Sequence, residues 1–149
     1  MFRTVTVEKG VPAPPERIFD LLADPRRHRE IDGSGTVRDA VDGPQRLSLG
    51  VQFGMKMKAG ARYTMTNTVV EFEEGRLVAW QPRPSNGLAA KAIGGRIWRY
   101  ELEPVQGGTL VRETWDSSQE RIPPLIWALG PLNARGMHRT LERLEAVMR

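Results

Sequence analysis

The chain has 149 residues, 40% of them apolar, and a formal net charge of +4. That is length and composition enough for one domain with a substantial core. The absence of cysteine excludes a disulfide framework, a thiolate zinc site and a cysteine nucleophile, and the small net charge falls short of a basic nucleic-acid-binding face.

No apolar run reaches the roughly 18 residues that a membrane helix needs. MFRTVTVEKG lacks the apolar stretch of a signal peptide and reads as the start of a strand. The chain is therefore expected to be cytoplasmic, with no DNA partner and no transmembrane segment, as a monomer or homodimer.

In chain order, Thr4–Val11 predicts the first strand. In VPAPPERIFDLLADPRRHREIDG, Pro14 and Pro15 suit the first turn of a helix, where a missing N–H costs nothing. Ile18, Phe19 and Leu22 then form an apolar stripe at helical spacing. Asp24-Pro25 ends that helix and can start a second short one. Asp32-Gly33-Ser34-Gly35 is a loop.

Strands and short turns then alternate, which implies an antiparallel meander. The expected strands are Thr36–Val41, residues 47–58, Ala61–Glu73, Arg76–Gln81, Arg96–Glu103 and Thr109–Ser117. Residues 47–58, LSLGVQFGMKMK, are apolar at every odd position, the period of a strand with one buried face. The stretch from Pro84 to Gly95 carries Leu88 and Ile93 among small residues and is expected to form a mobile lid. The tail from Pro123 is helical, with a kink or break at Gly130-Pro131. Asn133, Met137, Thr140, Leu141, Leu144 and Val147 or Met148 share one of its faces. A sheet curled around one helix leaves space between them unless large side chains fill it.

Five stretches, in this order, carry a resemblance: APPERIFDLLADPRRHREI, LGVQFGMKM, EFEEGRLVAWQPRP, WRYELEPVQGGTLVRETWD and LNARGMHRTLERLEAVM. Together they resemble the SRPBCC superfamily, also called START or birch-pollen-allergen-like, and above all its small bacterial polyketide cyclase/dehydrase-like members. The resemblance implies one α+β helix-grip domain over residues 1–149. In that fold a curved antiparallel sheet of about seven strands wraps a long C-terminal helix, and two short helices follow the first strand. Many small relatives have an aromatic residue, usually tryptophan, in the second short helix, where this chain reads RRHREIDG with His28 and Ile31. Members include lipid and hormone carriers, aromatase/cyclases, quinone-binding proteins, activators of chaperones and ribosome-associated toxins, so the fold leaves the activity open.

The inward rows assemble a candidate site. They comprise Val51, Phe53, Met55 and Met57; Tyr63, Met65 and Asn67; Trp80; Trp98, Tyr100 and Leu102; and Val111, Glu113 and Trp115. The helix adds Leu129, Asn133 and Met137. Tryptophan and methionine make a soft, shape-tolerant wall, and Asn67, Tyr63, Tyr100, Glu113 and Asn133 are the polar groups set among them. Ordinary core packing is the alternative for any one of them. A one-residue bulge would turn Asn67 and Val69 outward and leave Val70 and Phe72 inward.

In TLVRETWD the phase Val111, Glu113, Trp115 points a carboxylate inward, where burial raises its pKa. Its partner would be a ligand, Tyr63, Tyr100, Arg99 or Arg62. The opposite phase, Leu110-Arg112-Thr114, puts Glu113 on the surface. His28 and His138 are expected at the surface. Glu71, Glu73 and Glu74 read as a solvated turn, and ADPRRHRE reads as a solvated helix face, with phosphate contact as its alternative. No metal or other cofactor is expected.

The expected function is binding of a small hydrophobic or aromatic ligand, a lipid, polyketide or quinone-like compound, in a cavity between sheet and helix. One alternative is a polyketide cyclase/dehydratase in which Tyr63, Tyr100, Asn67 or Glu113 orients or protonates the chain, with Glu113 the weak candidate for the catalytic acid. Another is a toxin- or ribosome-associated interaction protein acting through arginine-rich patches.

Overall fold

The structure is a computed structural model that describes residues 4–85, 94–120 and 123–149. Prolines set its first boundaries. β1 (Thr4–Val11) gives way to α1 (Pro15–Leu22), whose first turn holds Pro15. Asp24 then accepts a hydrogen bond from the Arg26 N–H at 3.0 Å, and Pro25 opens a 3₁₀ turn that leads into α2 (His28–Ile31).

Six strands follow: β2 (Val37–Val41), β3 (Gln52–Ala59), β4 (Ala61–Glu73), β5 (Leu77–Pro84), β6 (Ile97–Val105) and β7 (Gly108–Asp116). Each pairs antiparallel with the next, and β7 also pairs with β1. The seven-stranded order is β1-β7-β6-β5-β4-β3-β2. Two helices close the chain, α3 (Pro123–Trp127) and α4 (Gly130–Met148). α4 packs on β1 and β7 of the sheet and on α2. This is the α+β helix-grip arrangement.

One half of the space beneath α4 is solid. Val11, Leu102 and Val111 of the sheet meet Ile18, Phe19 and Leu22 of α1 and Leu141, Leu144 and Met148 of α4. Each such side chain, fully buried, contributes about 1.5–3 kcal/mol. Arg17 donates to the Met148 carbonyl at 2.7 Å and ties α1 to the end of α4. Leu102 and Val111, expected in the inward rows, belong to this solid half.

Several sequence-based boundaries move. The strand expected over 47–58 begins only at Gln52. Gly50 has a φ of 82°, a left-handed conformation that breaks the alternation. Leu49 is consequently 64% exposed, while Leu47 is buried with its N–H bonded to the Ala23 carbonyl at 2.8 Å. β5 runs on to Pro84. The tail, by contrast, breaks where expected: the chain turns at residues 128–129, and a 19-residue helix begins at Gly130 with Pro131 in its first turn.

The bulge in β4 lies between Val69 and Glu71 in its pairing with β5. Met65, Asn67 and Val69 are therefore buried in the odd phase, and Phe72 packs inward in the even phase beyond it. Leu88 and Ile93 of the expected lid lie outside the described residues.

Candidate functional site

Toward the β2–β4 end of the sheet the space under α4 is not filled. A cavity of about 550 Å³ lies between the inner sheet face, α2, the loop after it and α4. Strand register explains its wall. Residues paired across strands point to the same side. Phe53, Asn67 and Pro82 form one row, Met55 and Met65 the next, and Met57 and Tyr63 the last. On the far side Trp80, Trp98 and Trp115 are paired in one row, and Val78, Tyr100 and Glu113 in the neighbouring one.

Of the residues in the expected inward rows, all but Val51, Leu102 and Val111 border this cavity. Val51 precedes β3 and is half-buried against the core, and its carbonyl accepts from the Val69 N–H at 2.9 Å. Met55, Met65, Trp115 and Met137 are buried in the wall. Tyr63 and Leu129, 41% and 43% exposed, stand at the mouth together with Leu132.

His28 is buried, contrary to the surface position expected from its arginine-rich neighbours. α2 turns it inward, where its ring lies flat on Trp80 at 4.8 Å between centroids. It also meets the edge of Phe53 at 5.8 Å. Its Nε2–H donates to the Leu22 carbonyl at 2.8 Å, and burial lowers its pKa against the opposing effect of that bond. An imidazole thus stands in the helix where the resemblance led to the expectation of an aromatic residue. That substitution was the only sequence signal for its place in the site. His138 is exposed.

Glu113 points inward and is 2% exposed. Tyr100 Oη donates to Glu113 Oε2 at 3.0 Å. Glu113 Oε1 and Trp115 Nε1 are buried with no hydrogen-bond partner among the described residues. Burial pushes the Glu113 carboxyl up to about 8; the Tyr100 hydrogen bond opposes that rise and the Asp32 carboxylate adds to it. Burial and the Glu113 carboxylate push the Tyr100 phenol well above its ordinary value. The other expected partners of Glu113 are engaged elsewhere or outward: Arg99 forms a bidentate pair with Glu71 at 2.6 and 2.8 Å, and Arg62 is exposed.

Asn67 donates only a long bond, 3.4 Å, to the Phe53 carbonyl. Asp32 also borders the cavity and orders its loop: Oδ1 accepts from Ser34 N–H at 3.0 Å and Oδ2 from Val37 N–H at 2.9 Å. Arg96, Arg135, Arg139 and Thr140 border it as well, and sequence reasoning missed them as site residues. Gly136 and Thr140 lie at i+3 and i+7 from Asn133, on the face it shares with Met137, so helical spacing carried the signal for them but not for Arg135 and Arg139. Glu73 and Glu74 pair with Arg76 and Arg46, and Arg26, Arg27 and Arg29 pair with Asp24, Glu30 and Asp39. Among the described residues no three His, Asp or Glu side chains gather as metal ligands.

The profile of the family described as "Polyketide cyclase / dehydrase and lipid transport" matches residues 3–149. The chain belongs to this family. Two uncharacterized Mycobacterium tuberculosis proteins, Rv0088 and MT0096, are 42% and 40% identical to it over 108 residues, which is 71% of this chain and 44% of each of them. The chain therefore spans less than half the length of the curated relatives it matches. Among solved structures, protein CV1439 of Chromobacterium violaceum superposes with a TM-score of 0.70 at 18% identity, covering 99% of this chain and 98% of that one. DynU16, from the dynemicin biosynthetic locus, superposes at 0.70 and 15% identity over 98% of this chain and 47% of its own. At such identities these structures show the fold. No helix among the described residues is long and apolar enough to cross a membrane.

Proposed function

We propose that this family member binds one small hydrophobic or aromatic molecule, of lipid, polyketide or quinone-like character, between its sheet and α4. The observation that carries the reading is the cavity itself. Its volume of about 550 Å³ lies within the range of small-molecule sites, and its wall is mostly apolar, aromatic and thioether-rich, with polar and charged side chains set among them. Phe53, Met55, Met65, Trp80 and Trp98 supply the apolar contact. The family description supports the same chemistry.

The test is binding of the fluorescent probe 1-anilinonaphthalene-8-sulfonate. One saturable site is expected, lost when Met55→Trp fills the cavity while the variant's melting temperature is retained. Probe binding unchanged in that folded variant would place the site elsewhere and overturn the reading.

A second reading, a cyclase/dehydratase, draws on the buried Glu113–Tyr100 pair. A carboxyl whose pKa is raised toward 8 holds a proton at neutral pH and is matched to general-acid work. Glu113→Gln would then abolish turnover of a polyketide substrate and leave its binding intact. Full activity in that variant rules Glu113 out as the acid.

A further inference from the structure

We propose that the ligand of this cavity is an amphiphile with a phosphate head. The head lies in a basic groove that β2, β3 and β4 build beside the cavity, and the apolar tail enters the cavity itself. The proposal rests on the ligand-binding reading of the same cavity and deepens it by naming the head group.

The groove has a volume of about 490 Å³. Four exposed cations line it, Arg38, Lys56, Lys58 and Arg62, against one carboxylate, Asp39. Met57 and Tyr63, paired across β3 and β4, line both the groove and the cavity, so the two spaces meet at this pair. The β2–β3 register shifts between Val37 and Ala40, which places Arg38 and Asp39 in the irregular stretch at the groove.

The cations of the groove lack the partners found elsewhere. Arginines such as Arg26, Arg27, Arg46 and Arg76 pair with carboxylates. Every Asp and Glu of the chain lies among the described residues, and none of them pairs with Arg38, Lys56, Lys58 or Arg62. Asp39 is held by Arg29 at 2.6 Å. Lys58 and Arg62 also stand directly opposite each other in the β3–β4 register. Like charges so placed weaken a sheet. Charges that only guard against edge-to-edge pairing belong on the edge strand, here β2, whereas β3 and β4 are interior strands. An anion bound between Lys58 and Arg62 would reverse the sign of that local repulsion.

The number of cations selects phosphate. One arginine fork satisfies a carboxylate, which has a single charge and two oxygens. A phosphate monoester carries close to two charges and three acceptor oxygens, and it takes lysine as a point charge as readily as arginine. Tyr63, 41% exposed, and the half-buried Met57 offer apolar contact where the chain of the ligand passes from groove to cavity.

Titration calorimetry with dodecyl phosphate, 1-dodecanol and inorganic phosphate, each kept below its aggregation limit, tests this. In low salt dodecyl phosphate should bind about 10-fold tighter than 1-dodecanol, and the preference should shrink at about 0.5 M salt. Inorganic phosphate, without a tail, should bind about 100-fold more weakly than dodecyl phosphate. Lys58→Gln with Arg62→Gln should weaken dodecyl phosphate about 10-fold and leave 1-dodecanol within about twofold. The melting temperature of that variant should not fall, because a like-charge pair has been removed. Arg76→Gln with Arg112→Gln makes the same charge change at residues that border neither space and should leave both affinities within about twofold. If inorganic phosphate binds as tightly as dodecyl phosphate, the groove is a site for the free anion and the amphiphile is overturned. If 1-anilinonaphthalene-8-sulfonate binds but dodecyl phosphate is not preferred over 1-dodecanol, or if the two double variants weaken it equally, the head-group proposal falls alone. If neither that probe nor either dodecyl compound binds, the ligand-binding reading falls and takes the proposal with it.

Discussion

The imidazole of His28 lies parallel to the indole of Trp80, with centroids 4.8 Å apart and planes inclined by 16°. The contact joins α2 to β5 and closes one side of the cavity. His28→Ala removes the stack and the bond to the Leu22 carbonyl together, for an expected loss of about 2–3 kcal/mol. His28→Phe keeps the ring and should cost about 1 kcal/mol. Urea unfolding of both variants checks the difference; equal losses would mean that the stack contributes nothing.

Glu113 and His28 set opposite pH dependences. Glu113 rises from 4.5 to about 8 on folding, so its contribution is complete below about 4.5 and is lost as pH rises to about 8. His28 falls below 6.5 on folding, so its neutral burial weakens the fold only as pH drops through about 6.5. Between about 6.5 and 8 Glu113 acts alone, and stability should fall by about 1–2 kcal/mol across that window. Asp24 and Glu71, held below their ordinary values by Arg26 and Arg99, act only in acid. Glu113→Gln should flatten the urea midpoint over that window; an unchanged decline would assign it to another group.

Tyr100→Phe removes the one hydrogen bond that holds Glu113 down. The Glu113 pKa should rise further, as followed by carboxyl-carbon NMR. Stability should drop by about 1–2 kcal/mol, because Oε2 then also lacks a partner. A Glu113 pKa that falls in this variant would contradict the assigned hydrogen bond.

Gly33 is where the loop after α2 touches α4. A Cβ there would sit 2.2 Å from the Gly136 carbonyl oxygen and 2.5 Å from the Thr140 nitrogen, both backbone atoms. The Gly33 N–H also donates to Thr140 Oγ1 at 2.8 Å. Gly33→Ala must push the loop off the helix, at a cost of about 2 kcal/mol or more. Thermal melts and probe binding should both respond, since Gly33 borders the cavity. A fully stable Gly33→Ala would mean that the loop has slack.

The Arg99–Glu71 pair lies on the outer sheet face, with side chains 21% and 35% exposed. Its bidentate geometry is good, but solvent screens it, so a double-mutant cycle to alanine should give about 1 kcal/mol or less and shrink in salt.

Much of this protein was legible in the sequence because its signals are local. Proline at a helix start, alternation at Phe53, Met55 and Met57, and glycine turns between strands each depend on a few neighbouring residues. Their order was enough for the helix-grip fold and for most of the sheet side of the cavity wall. The errors mark where distant contacts decide. Leu49 keeps the alternation of its neighbours yet faces water, because left-handed Gly50 turns the chain first. The bulge at Val70 is set by pairing with β5, so the phase of Asn67 and Phe72 could not be chosen from β4 alone.

His28 was misplaced because its partner Trp80 is 52 residues away, and arginines next to it say nothing of that indole. The sequence by itself determined the elements, their antiparallel order and which side chains could face inward. Only the tertiary structure decided that α4 stands off one half of the sheet, that Glu113 meets Tyr100 there, and that two polar atoms are left unpaired. Burial and hydrogen-bond partnership are properties of non-local packing, and no pattern of neighbours along a strand encodes them.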